Sequence, residues 1–148
     1  MILDACMSIL HFWLVFSIVA VLSIELSWCR APMESGTVLR LARVDLMYGI
    51  SAGLLIVVGF ARAAHGPKGW AFYSGNPVFW IKIGLFVLVG LLSIVPTVTF
   101  IRWTRAARAG RAVDPAHVIS VRKWLHAEAA LLLLIPIAAA LMARGIGY

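Results

Sequence analysis

Four long apolar runs separated by short polar stretches make up most of the chain: about Met7 to Trp28, Leu46 to Ala64, Val78 to Ile101 and Leu125 to Met142. Each is close to the ~20 residues that a helix rising ~1.5 Å per residue needs to cross ~30 Å of hydrocarbon. One such helix can be buried in a large soluble protein, but four of them in 148 residues leave too little chain to cover them. The pattern predicts an all-α fold, a single four-transmembrane-helix bundle over residues 1–148 with no separate domain outside the membrane.

Local signals set the boundaries. Pro32 and Gly36 mark a loop over Ala31 to Leu41, and the second helix is expected to begin near Asp45 and run to the Gly59 to Gly66 region. The segment from Lys68 to Gly75 reads as an aromatic, glycine-broken loop. Asn76-Pro77 then has the form of an N-cap followed by proline at the first helical position, where its missing amide hydrogen costs nothing. The third helix is expected to continue past Arg102, and Asp114-Pro115 to start a helical stretch, His117 to His126, that leads into the fourth. Pro96 and Pro136 are predicted bend points. Small residues, among them Gly49, Gly53, Gly59, Gly84 and Gly90, suit close helix approach in lipid.

Composition agrees, since 63% of residues are hydrophobic and 13% charged. The formal net charge of +7 first points to an acidic partner, but its distribution points to topology instead. Arg30, Arg40 and Arg43 lie between the first two helices, and Arg102, Arg105, Arg108, Arg111, Arg122 and Lys123 between the last two. The intervening loop carries only Lys68, with Arg62 just before it. The positive-inside rule puts both basic loops in the cytoplasm and both termini on the outer, periplasmic side, with anionic lipid headgroups rather than nucleic acid as the attracted partner. The first run is read as a retained helix, because MILDA carries Asp4 and no cation and no small-x-small cleavage site follows. Cys6 and Cys29 sit near opposite ends of that helix, too far apart to bridge.

The candidate chemistry lies in polar residues within the runs. His11 falls about 6 Å inward from Met7 and Lys82 about 9 Å beyond Asn76, so they share a depth to which Arg62 also comes near. Glu25, Asp45, His126 and Glu128 form a second, mostly acidic layer towards the other side, either as a proton relay or as partners of Arg43 and Arg122 at helix ends. Lys82 either snorkels to the interface or faces inward with Arg62 to hold an anion, with aromatics such as Trp70 and Trp80 forming either an interfacial belt or the wall of the site. His11 beside two cations suits haem, whose propionates need countercharge and whose macrocycle needs apolar walls. The histidines show no zinc-like spacing, and Met1, Met7, Met33, Met47 and Met142 are spread over different depths, which assembles no copper site.

Several motifs carry a family resemblance: VDLMYG at Val44 to Gly49, GPKGWAFY at Gly66 to Tyr73, NPVFWIK at Asn76 to Lys82, SIVPTVTFIRW at Ser93 to Trp103 and LMARG at Leu141 to Gly145. With His11 and Glu25, this ordered set resembles the bacterial membrane-protein family called domain of unknown function 2214. More distantly, the layout is similar to HemJ-type protoporphyrinogen oxidases and to the membrane domain of CopD-type copper-resistance proteins. The HemJ resemblance implies a haem ligand at His11 and a matching tryptophan-lysine region at Trp80 and Lys82. The expectation is a haem-b-binding membrane redox protein of the bacterial inner membrane, with His11 as iron ligand, Arg62 and Lys82 at the propionates, Trp70 or Trp80 beside the macrocycle, and a quinone or porphyrin as partner. The alternative is an accessory or structural subunit, self-associated or packed in a larger membrane complex.

Overall fold

The computed structural model describes residues 2–147; Met1 and Tyr148 lie outside it. Five helices follow one another: α1 (Ile2–Trp28), α2 (Ser35–His65), α3 (Gly69–Ser74), α4 (Pro77–Arg108) and α5 (Pro115–Ala143). All but α3 are long and apolar enough to cross a membrane. The shortest of these four, α1 with 27 residues, reaches about 40 Å at 1.5 Å per residue, more than the hydrocarbon thickness. The all-α, four-helix class is thus the observed one.

The ends of the long helices follow from local chemistry. Asn76 Oδ1 accepts from the amide of Val78 at 2.8 Å and Asp114 Oδ1 from that of Ala116 at 2.9 Å, each with proline next in the chain, so α4 and α5 start as their sequences predict. Both also stop on a glycine in the left-handed region. Gly110 (φ 71°) follows α4 and Gly145 (φ 80°) follows α5. Beyond them the amides of Arg111 and Ile146 return to the carbonyls of Ala106 and Leu141, at 3.0 and 3.1 Å, which satisfies carbonyls the helix itself leaves unpaired.

Two boundaries differ from expectation. Residues 35–41, expected as loop, are the first turns of α2; Val38 and Leu41 are fully buried there, packed in the core with Val118 and Val121, so tertiary burial outweighs the cost of Gly36 within a helix. The glycine-broken aromatic loop contains the single-turn helix α3, entered through Gly69 at φ 72°. Helices α4 and α5 both continue through Pro96 and Pro136.

Helix α1 packs on α2, α2 on α4 and α4 on α5, and α5 returns to α1. The N-terminus, the α2–α4 connection and the C-terminus share one end of the bundle, here called the terminal end. Asn76 Nδ2 donates to the carbonyl of Ile146 at 3.3 Å, and a Cβ built on Gly66 would lie 3.8 Å from Asp4. The contiguous core runs from Leu14 through Ile18 and Leu22 to Cys29, and includes Val38, Leu41, Phe100, Trp103, Val118 and Leu125. It fills the half remote from the termini. Large apolar side chains such as Trp13, Phe16, Val57, Leu91 and Leu133 face outward, as lipid contact requires.

Candidate functional site

Where the core stops, a cavity of about 590 Å³ opens at the terminal end. It is walled by α1, α2, α4 and α5 and roofed by α3 and the preceding loop. Its polar lining is His11 from α1, Arg62 from α2, Lys68, Tyr73 from α3, and Lys82 from α4; Val15, Leu55, Phe86 and Ile135 are among its apolar walls. Among the described residues, no Asp or Glu lines it.

Each basic group has a traceable setting. A Cβ built on Gly59 would lie 3.6 Å from the His11 ring, so the bare backbone of α2 gives that imidazole a flat bed. His11 Nδ1 and Arg62 Nε are both buried without a hydrogen-bond partner. Lys82 Nζ lies 5.3 Å from the ring centroid of Phe79, and Lys68 Nζ 4.3 Å from that of Phe72, both within cation–π range. Four cationic or basic side chains thus meet one apolar space from three helices and a loop.

The aromatic residues fix the roof. Trp70 packs against Phe60 and Phe79 at centroid separations of 6.3 and 6.0 Å, Tyr73 against Phe79 at 5.9 Å, and Phe79 is nearly fully buried at their centre. Trp80 lies edge-on to Trp70 at 6.5 Å and donates its indole N–H to the Ser74 carbonyl at 2.9 Å. Among the residues singled out by sequence, His11, Arg62 and Lys82 therefore line the cavity. Trp70 and Trp80 stand behind it, and Phe79 is the ring that connects them to its wall.

The acidic layer also differs in composition from its expected membership. Glu25, Asp45 and Glu128 are buried, but His126 is exposed and turns its Nδ1 to the Arg122 carbonyl at 2.7 Å. Residues two apart on a helix point about 200° from one another, so Glu128 and His126 cannot both face inward. Arg122 does not pair with Glu25: its guanidinium donates to the carbonyls of Leu26 and Cys29 at 3.0 and 3.1 Å. The first belongs to the last turn of α1 and the second to the residue just past its end, both left unpaired by the helix and at the negative end of its dipole. Arg43 is exposed. Two residues complete the layer without having been singled out. Thr97 donates to Asp45 Oδ1 at 2.8 Å, and the Tyr48 hydroxyl is a hydrogen-bond donor towards Glu128. Tyr48 follows Asp45 by three residues, so its place on the same helix face was a readable signal.

Four apolar helices, a mostly apolar cavity with basic side chains at one end and a buried acidic layer towards the other define a multi-pass membrane protein. The family model described as predicted membrane protein (DUF2214) matches residues 3–147, and the chain belongs to that family. No curated protein and no solved structure matches it.

Proposed function

We propose that the chain is a bacterial inner-membrane protein that binds haem b in the terminal-end cavity and exchanges electrons with a membrane-soluble quinone or a porphyrin. One observation carries the reading: His11, Arg62 and Lys82 face a mostly apolar cavity that contains no acidic side chain, and two of them keep a buried nitrogen without a partner. Cations held away from water call for a countercharge. Two propionates on an otherwise apolar macrocycle match that combination of charge and wall.

In this reading His11 is the iron ligand, Arg62 and Lys82 hold the propionates, and Trp70 and Trp80 stiffen the aromatic wall through Phe79. Bound haem would supply one-electron chemistry, while the chain binds it, orients it and keeps water away. The terminal end is then periplasmic, because the loops at the opposite end carry most of the basic residues. Protein purified from haem-supplemented cells is expected to show a haem absorbance band that His11→Ala abolishes or shifts. A purified protein that stays colourless and takes up no added haem would overturn the assignment.

A second reading, an accessory subunit of a larger complex or a homo-oligomer, is favoured by a different observation. A Cβ built on Gly49, Gly53, Gly84 or Gly90 meets nothing within 4 Å, so these small residues do not serve packing inside the bundle. Gly49 and Gly53 lie one turn apart on α2, a spacing that admits the close approach of another helix. Purification from native membranes in mild detergent separates the readings: one stoichiometric complex supports the second, and a free, coloured protein the first.

A further inference from the structure

At the other end of the bundle, Glu25 on α1 and Glu128 on α5 are 2% and 1% exposed, and in each the Oε1 atom is buried with no hydrogen-bond partner. Asp45 on α2 is nearly as buried and is held by Thr97 of α4. Tyr48, 4% exposed, follows Asp45 by one turn on α2, and its hydroxyl points its proton towards Glu128. Among the described residues, no cation makes an ion pair with any of the three. Arg122, the basic side chain from α5 at this level, is committed to the α1 carbonyls, and the thiol of Cys29 is the other titratable group facing it. Helix α3 lies at the opposite end, over the cavity.

Three carboxylates cannot all stay charged in such a place. Each buried, unpaired charge costs several kcal/mol, and like charges add to that cost. A carboxyl that keeps its proton still needs a partner for its O–H, and the orphaned Oε1 atoms of Glu25 and Glu128 are free to give or receive one. The three carboxyls are also not gathered about one point as metal ligands would be. Glu25 lies only three residues, about 4.5 Å, from the end of α1, a helix of about 40 Å that is longer than the ~30 Å of hydrocarbon.

We propose that Glu25, Asp45 and Glu128, with Tyr48 donating towards Glu128, form a proton-exchange site inside the bundle that opens to water at the end of α1. Uptake of a proton from water converts one carboxylate to the neutral acid, and release returns that proton to water; no oxidant or co-reactant takes part. The site is separate from the cavity at the terminal end and does not depend on haem. Since His11 and Glu25 are fourteen residues apart on α1, about 21 Å along its axis, the two sites lie in opposite halves of the membrane.

Infrared difference spectroscopy of the full chain in lipid tests this directly, with the pH stepped in H2O and again in D2O. The expected result is a carboxylic-acid C=O stretch whose amplitude follows pH and which moves to lower frequency in D2O. Glu25→Gln and Glu128→Gln should each remove a component of that band, Tyr48→Phe should move the component of Glu128 to higher frequency through loss of a donor, and exposed Glu34→Gln should leave the band unchanged. A wild-type difference spectrum with no such band would show that none of the carboxyls changes its protonation and overturn the proposal. A band that ignores both pH and D2O would show a sealed structural acid and overturn it equally, even if none of the variants folds.

Discussion

Thr97 Oγ1 on α4 donates a 2.8 Å hydrogen bond to Oδ1 of Asp45 on α2, a side-chain tie between these two neighbouring helices. The acceptor is largely buried, so removing the donor leaves its oxygen short of a partner. Thr97→Val, which keeps the shape, is expected to destabilise the protein by about 1–3 kcal/mol, and Thr97→Ser by much less. Thermal unfolding in detergent measures both.

Arg122 and Cys29 form a second cross-helix tie. Loss of the two charge-assisted bonds to the Leu26 and Cys29 carbonyls in Arg122→Ala is expected to cost about 1.5–3 kcal/mol per bond at most, with the end of α1 loosened first. Both bonds come from the one Nη1 atom, so Arg122→Lys, whose ammonium carries donors enough for two acceptors on a shorter side chain, should recover part of the loss. Hydrogen exchange at the last turn of α1 should rise in the alanine variant and lie between the two in the lysine variant.

Cys29 itself, just past the end of α1, has no exposed surface. Burial pushes its thiol up to about 11 from an ordinary value of 9.0, against a pull down from Arg122 and with a smaller push from Glu25. A value raised in the folded state favours folding below the unfolded value and loses that contribution as pH rises towards the folded one. Stability should therefore fall between about pH 9 and about pH 11, and Cys29→Ala should flatten that fall. At neutral pH a maleimide should leave Cys29 unmodified until the protein is unfolded.

Lys82 tests the cavity. If it holds a carboxylate-bearing ligand there with Arg62, Lys82→Met should weaken haem binding about tenfold or more, because a charge-assisted hydrogen bond contributes roughly 1.5–3 kcal/mol. Lys82→Arg should retain more affinity than Lys82→Met. Equal affinity in wild type and both variants, each shown to be folded, would mean that Lys82 serves only the interface and the Phe79 ring.

The basic loops predict the orientation. In a Cys6→Ser background, Pro67→Cys should react with an impermeant thiol reagent added to intact spheroplasts, while Arg108→Cys should react only after the membrane is opened. The opposite pattern would invert the bundle and with it the assignment of the terminal end to the periplasm.

The four membrane-length helices were legible because the signals that make them are local: an apolar run long enough to span, and Asn76-Pro77 and Asp114-Pro115 to start α4 and α5; that Gly110 and Gly145 end those helices in the left-handed region was seen only in the structure. The shared depth of His11 and Lys82 was equally readable by counting residues along each helix. The inward face of each helix was not. In water, a polar stripe marks the outside of a helix, but lipid is as apolar as the core, so the sequence carries no contrast between the two faces. Only the packed bundle therefore decided that Glu128 points inward and His126 away, and that Tyr48 stands among three carboxyls while Arg122 caps α1. For the same reason it was packing that turned residues 35–41 into helix, where Val38 and Leu41 find a core to fill, and folded the aromatic segment into α3 over the cavity. The sequence determined how many times this chain crosses the membrane and how deep each polar group lies; tertiary structure decided which of those groups meet, because in lipid that depends on helix rotation, and rotation is set by side-chain fit.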